Sequence, residues 1–278
     1  MPSALELALL DKVSASVQFA VDTGEPPVTL VSESESGEDT RFGAFEAHRV
    51  SIHDARPILD RLDLDVQGFS IARHETVVDD FYDPAEVRAV YYPEMEALVK
   101  QATGAVMAIV FDHTVRIDDG SLQAARKVRG PARNVHNDFT IAAAEQRVRD
   151  LLPEAEARQR LSRRFGSINV WRPIKGPVET APLAICEYAS IRDRDLIASE
   201  RRYKNRVGGI YYLAHNPEQR WYYFPRMMRN EVVLLKCYDS LTDGTARLTA
   251  HGAFDDPSTP AGAPPRESIE IRTLVFYE

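Results

Sequence analysis

From Ala105 onward the apolar positions fall in short runs rich in β-branched and aromatic residues, separated by polar turns, which is the pattern of strands in a sandwich or barrel. The runs lie at residues 106–111, 133–139, 167–174, 183–190, 207–214, 220–225, 232–238, 248–253 and 268–277. Helix signals interrupt them. Asp83-Pro84 combines a capping carboxylate with a proline suited to a first turn, predicting a helix to about residue 102 that stops at Gly104. A second helical stretch, rich in Ala, Glu, Gln, Arg and Leu, covers residues 141–165 with Pro153 as a break or kink. Before the first helix, residues 45–52 read as a strand, and the acidic run 32–40 reads as a surface loop. Residues 261–265 form a turn-rich connector into the last strand. The expectation is one mainly β domain with flanking helices: an N-terminal α/β elaboration over 1–104 and a β core over 105–278.

Composition narrows the class. The 278 residues are 44% hydrophobic and 27% charged, ordinary for a globular protein with a sizeable core. Forty-two acidic residues against 34 basic ones give a net charge of −8, which argues against nucleic acid as a partner. The start of the chain lacks a basic segment leading into a long apolar run, and no stretch reaches membrane-spanning length, so a cytoplasmic protein without a membrane partner is expected. Cys186 and Cys237 lie far apart inside apolar runs and read as buried free thiols.

Candidate chemistry begins at His136-Asn137-Asp138. On a strand, alternate residues share a face, so His136 and Asp138 can converge on one ion. Seven histidines among 42 acidic residues in 278 predict about one such spacing by chance, and the chain has one. Weight comes from two residues further along the chain and from their order: His251 on a later strand, then Arg266 on the last. Two imidazoles and a carboxylate hold ferrous iron on one face and leave other positions open. Within the last strand Arg266, Ser268, Glu270 and Arg272 share one parity, and Ile269, Ile271, Thr273 and Val275 the other. Inward arginines need partners, which a dicarboxylic cosubstrate would supply; for Arg272 neutralisation by Glu270 is the competing reading.

Taken together, residues 136–140, 169–174, 182–187, 215–225 and 265–272 resemble a family of microbial hydroxylases and desaturases that includes a fungal gibberellin desaturase and a cephamycin 7-methoxylation component. The resemblance runs from about Val106 to the C-terminus and is loose before it. It implies a double-stranded β-helix (jelly-roll, cupin-like) core, ferrous iron, 2-oxoglutarate and O2 as cofactor and cosubstrates, and oxidative tailoring of a small secondary metabolite by hydroxylation or desaturation. Carried over, His136, Asp138 and His251 would be the catalytic metal ligands, and Arg266, Ser268 and Arg272 the cosubstrate contacts. Glu187 stands where the family more often has aspartate. A homodimer is compatible with the sequence, which does not fix assembly.

For the substrate, the aromatic and arginine-rich stretch 201–229 supplies His215, Trp221, Tyr223 and Arg226 as pocket candidates, with Trp171 and Arg172 from an earlier strand; core packing competes for the aromatics. His48, His53, His74 and His113 have no partner at ligand spacing and read as structural. Residues 126–129 are basic and read as a solvated loop rather than a lid. Two other classes compete with the oxygenase: a catalytically silent barrel that binds a ligand or partner subunit, and a different cupin-type metalloenzyme. Arg266 argues against the latter, since those reactions need no buried cation there.

Overall fold

A computed structural model describes residues 9–32 and 39–278, so most of the acidic run at 32–40 lies outside the described residues. Two facing sheets form the double-stranded β-helix that the sequence implies. In spatial order the larger holds β1 (Lys12–Val21), β4 (Ala44–Asp54), β12 (Trp221–Tyr223), β9 (Leu183–Cys186), β14 (His251–Ala253), β7 (His136–Asn137), β11 (Val207–Leu213), β10 (Leu196–Arg202), β2 (Val28–Leu30) and β3 (Thr40–Phe42). The smaller holds β5 (Phe69–Arg73), β13 (Glu231–Asp239), β8 (Phe165–Pro173), β15 (Glu267–Phe276) and β6 (Met107–Ile117). Pairing is antiparallel except for β2 with β10 and β4 with β12.

Period-two alternation decides which side chain meets which layer. From β8 and β13, Trp171, Val233 and Leu235 point between the sheets, where they meet Leu183, Ile185 and Tyr222 of the larger sheet. Their neighbours Ile168, Val170, Val232 and Leu234 point the other way, onto Met95, Leu98 and Val99 of the helix Tyr92–Thr103. Covered on both faces, β8 and β13 are buried along their whole length, which is why they read as continuous apolar runs. A third cluster, with Phe19, Ile52, Trp221, Tyr223 and Phe254, lies on the far face of the larger sheet. The expected parity of β15 holds, with Ile269 and Ile271 against the helix and Glu270 and Arg272 directed inward.

The helices form with local corrections. Asp83 accepts from the Ala85 amide at 2.8 Å, the chain continues through a π-helical turn at Val87–Tyr91, and Gly104 ends the helix at φ +70°, the left-handed cap that favours glycine. The single helix expected over 141–165 is two, Ile141–Leu151 and Glu154–Leu161, because Pro153 cannot donate within a continuous helix, and β8 begins already at Phe165. Strands expected over 133–139, 220–225 and 248–253 shrink to two or three residues in the curled sheet. In addition, β1, β2, β3, β5 and β10 extend the sheets beyond the expected set, those before residue 104 included. Both cysteines are free and buried, as expected.

Candidate metal centre and cleft

The site starts from one cross-strand pair. His136 on β7 sits directly opposite His251 on β14, so both side chains leave the same face of the larger sheet, and their ring centroids are 4.8 Å apart. Val135 and Asn137 alternate with His136, and Val135 packs into the far-face cluster, leaving His136 inward. Asp138 comes immediately after β7. Its Oδ1 lies 3.5 Å from His136 Nε2. The ligand atoms of His136, Asp138 and His251 all fall within 4.8 Å of one another, and among the described residues no other group of His, Cys, Asp or Glu does so.

The hydrogen bonds fit a metal. His136 Nδ1 is 2.8 Å from the Asn134 carbonyl, which only accepts; the proton therefore belongs on Nδ1 and the lone pair on Nε2, toward Asp138. His251 is 2% exposed, and neither of its ring nitrogens has a hydrogen-bond partner. A buried imidazole with an unused lone pair is costly unless something coordinates it. Burial first, then the neighbouring His136, push its pKa down to about 3, so it is a neutral donor across the physiological range. Asp138 Oδ2 accepts from Asn169 Nδ2 at 2.6 Å and Arg272 Nε at 2.9 Å, leaving Oδ1 toward the histidine. Burial alone would raise this carboxyl; Arg272 and then His136 outweigh it and hold the group well below the usual range. Two neutral imidazoles and an ionised carboxylate suit ferrous iron with positions left open.

Arg272 is placed differently from its expected cosubstrate role. Its guanidinium also donates to Thr114 Oγ1 at 2.9 Å, approaches Asp112 at 3.3 Å and lies 3.6 Å from Glu270. Carboxylates of the protein surround it, and it orients Asp138. Among the described residues, Arg266 has no carboxylate in contact. It is 3% exposed, donates to the Ala181 carbonyl, lies over the Trp171 ring at 5.5 Å, and its Nε has no partner. Burial first, then Arg116, lower its pKa to about 9. Ser268 is buried two residues along, directly across β15 from Arg116. Arg116 itself donates to the Gly130 carbonyl at 2.8 Å, with burial the main cause of a pKa near 10. Among the described residues, buried Arg266 and half-buried Arg116 are thus neighbouring cations without a contacting carboxylate, and Arg116 lines the same cleft as His136 and Asp138.

His136, Asp138 and Arg272 open onto a cleft of about 590 Å³ walled by β6, the helix Ile141–Leu151, the loop 128–134 and the start of β11. The expected substrate residues do not line it. Trp171 faces the site but lies beneath Arg266. Arg172, its neighbour on β8, necessarily faces the other way, where it donates to the Arg229 and His74 carbonyls at 3.0 Å. Trp221 and Tyr223 belong to the far-face cluster, because they alternate with the inward Tyr222. His215 stacks on His48 at 3.9 Å, and Arg226 is exposed and paired with Glu179. Composition pointed to these residues, but strand alternation turns Arg172, Trp221 and Tyr223 away from the cleft, and His215 and Arg226 lie in loops outside it. Glu187, buried, takes Arg220 and Tyr222 as partners.

Sequence reasoning missed the wall that does face the site. A β-bulge at Phe111 interrupts pairing between β6 and β15, so Phe111 and Asp112 both turn into the cleft. On the helix, Ala143, Gln146, Arg147 and Asp150 form the cleft-facing stripe, while Ala144 and Val148 are buried. That spacing was readable; which face would border a site was not.

Comparison with known proteins agrees with this geometry. Residues 17–276 match the family described as Oxidoreductase/YMDC permease-like domain. No helix among the described residues is long and apolar enough to cross a membrane. The hydroxylase/desaturase efuI of Hormonema carpetanum is 35% identical over 258 residues, covering 84% of this chain and 85% of that protein. The Fe(II)/2-oxoglutarate-dependent dioxygenase nvfI of Aspergillus novofumigatus is 37% identical over 239 residues, covering 82% and 83%. The solved structure of the iron and alpha-ketoglutarate-dependent endoperoxidase NvfI superimposes with a TM-score of 0.86 at 32% identity, over 96% of this chain and 98% of that one.

Proposed function

The chain belongs to the hydroxylase/desaturase family of Fe(II)/2-oxoglutarate-dependent oxygenases of secondary metabolism, and from that premise we propose that His136, Asp138 and His251 hold the iron while Arg266 and Ser268 receive the far carboxylate of 2-oxoglutarate. The observation that carries the metal assignment is His251, buried with both ring nitrogens unpartnered opposite His136. Bound there, ferrous iron with 2-oxoglutarate and O2 supplies the oxidising power to remove hydrogen from an unactivated carbon, the cosubstrate leaving as succinate and carbon dioxide.

This chain's residues do the rest. Asn134 fixes the His136 tautomer, and Arg272 with Asn169 keeps Asp138 ionised and turned so that one oxygen is free. Buried Arg266 attracts a carboxylate that satisfies its unpartnered Nε, and the Trp171 ring beneath keeps the guanidinium plane in place. The cleft walls exclude bulk water and position a small-molecule substrate. Hydroxylation and desaturation both fit this frame, because they differ in how the reacting carbon is held.

Anaerobic addition of ferrous iron and 2-oxoglutarate is expected to give a weak visible charge-transfer band that is lost in His136→Ala. If iron binds the wild type no more tightly than a His136→Ala/His251→Ala variant, the metal assignment is wrong.

A further inference from the structure

The cleft is charged against the trend of the molecule. The chain carries a net −8, yet eight arginines and only four aspartates, with no lysine or glutamate, line this cavity. Most of these arginines are accounted for. Arg272 is held by Asp138 and Asp112, Arg129 and Arg201 share Asp39 at 3.0 and 2.9 Å, and Arg133 pairs with Asp118 and Asp255. Arg116 borders buried Arg266, the residue proposed to receive the cosubstrate.

Of the three that remain, Arg41 is exposed on β3, and Arg147 and Arg206 are different. Both line the cleft, from the helix Ile141–Leu151 and from the turn between β10 and β11. The Arg147 guanidinium lies over the Phe111 ring at 5.1 Å, and its Nε is buried with no partner. The carboxylate that approaches it among the described residues, Asp150, is 3.9 Å away, and Asp112, which also acts on it, is held by Arg272. Arg206 lies over the Tyr203 ring at 3.8 Å and pairs with no carboxylate among the described residues. Burial, and after it the charge of Arg206, lower the Arg147 pKa, so the two cations feel each other. With Asp150 distant and Asp112 held by Arg272, Arg147 and the exposed Arg206 keep about one uncompensated positive charge. Beside them Phe111 and Phe139, 6.3 Å apart, provide an apolar strip leading to Asp138.

We propose that Arg147 and Arg206 bind a carboxylate on the substrate, which is a small organic monoanion whose apolar body lies along Phe111 and Phe139 and presents carbon to His136 and Asp138. This rests on the oxygenase reading for the identity of the reacting end. The two anion sites use different arginines, so substrate and cosubstrate do not compete for the same ones.

The test is calorimetric titration of the anaerobic Fe(II)/2-oxoglutarate-loaded protein with naphthalene-2-acetate, its methyl ester and 2-naphthyl phosphate at low and high salt. The acid is expected to bind at least tenfold more tightly than the ester at low salt, with the preference shrinking as salt rises. In Arg147→Gln/Arg206→Gln the preference should fall below threefold, whereas Arg226→Gln, outside the cleft, should retain it. Equal binding of acid and ester, failure of the acid to bind, a preference that survives the double substitution, or tighter binding of the phosphate overturns the proposal. Titrating 2-oxoglutarate into the same preparations separates the two readings: wild-type protein that does not bind 2-oxoglutarate contradicts the oxygenase site, while an intact cosubstrate affinity with no acid preference contradicts only the substrate anion.

Discussion

Arg272 and Arg266 share a strand and a parity, yet their surroundings give them separate work. Arg272 contacts Asp138, so Arg272→Ala would leave a buried carboxylate without its counter-charge. Iron affinity is expected to fall about 10- to 100-fold, the usual cost of removing a group that orients a metal ligand, as read by anaerobic calorimetry. Arg266→Ala should do the opposite, weakening 2-oxoglutarate binding far more than iron binding; equal loss of both contradicts its role. His251 makes a prediction for the metal-free protein. Its folded pKa is lowered from 6.5 to about 3, so between these values the unfolded chain holds a proton that the folded protein refuses. Stability therefore falls as pH drops through that window, by up to about 1.4 kcal/mol per unit. Urea titrations across pH 3 to 6.5 should show this slope reduced by roughly one proton in His251→Asn; an identical slope in the variant means that the ring is not the group responsible.

The helix Ile141–Leu151 forms one wall of the cleft, and its attachment depends on a glycine. A Cβ at Gly209 would lie 2.5 Å from Thr140 Oγ1, the side chain that caps this helix through the Ala143 amide at 3.2 Å. Backbone contact between Thr140 N and the Gly209 carbonyl, at 3.0 Å, leaves no slack. Gly209→Ala should cost roughly 1–3 kcal/mol by overpacking. Combining it with Thr140→Ala should be less than additive, because the clash disappears while the cap is lost once. Strictly additive losses in urea denaturation would show that the two groups do not meet. The same paired-element logic explains β8: once Asn169 faces the metal group, Trp171 must as well, and Arg172 must not.

At the scale of the whole molecule, binding couples to stability by mass action. Ferrous iron and 2-oxoglutarate at about 100 times their dissociation constants should each add about 2.7 kcal/mol, seen anaerobically as a rise in Tm that is absent in His136→Ala/His251→Ala. How much of the molecule is legible in its sequence differs by level. The group His136, Asp138 and His251 came from the order of distant residues and the family resemblance. The β-rich half, the capped helix ending at Gly104 and the parity of β15 came instead from local pattern, because alternation and capping operate over a few residues. The N-terminal strand β1 did not, since its polar alternation Lys12–Val21 gains meaning only from pairing with β4. Nor did the cleft wall: Phe111 and its neighbour Asp112 both face inward only because β6 bulges against β15, and Arg147 and Arg206 line one cleft only because two distant segments are brought together. Trp221, Tyr223 and His215 looked like pocket residues by composition, but Trp221 and Tyr223 take the far face by alternation with Tyr222, and His215 stacks on His48 outside the cleft. Sequence by itself determined that the chain is mainly β, where its helices are capped, and that His136, Asp138 and His251 are candidates for one metal group. Tertiary structure alone decided which buried arginines find carboxylates within the protein and which are left for a ligand, because that depends on long-range neighbours that no local period encodes.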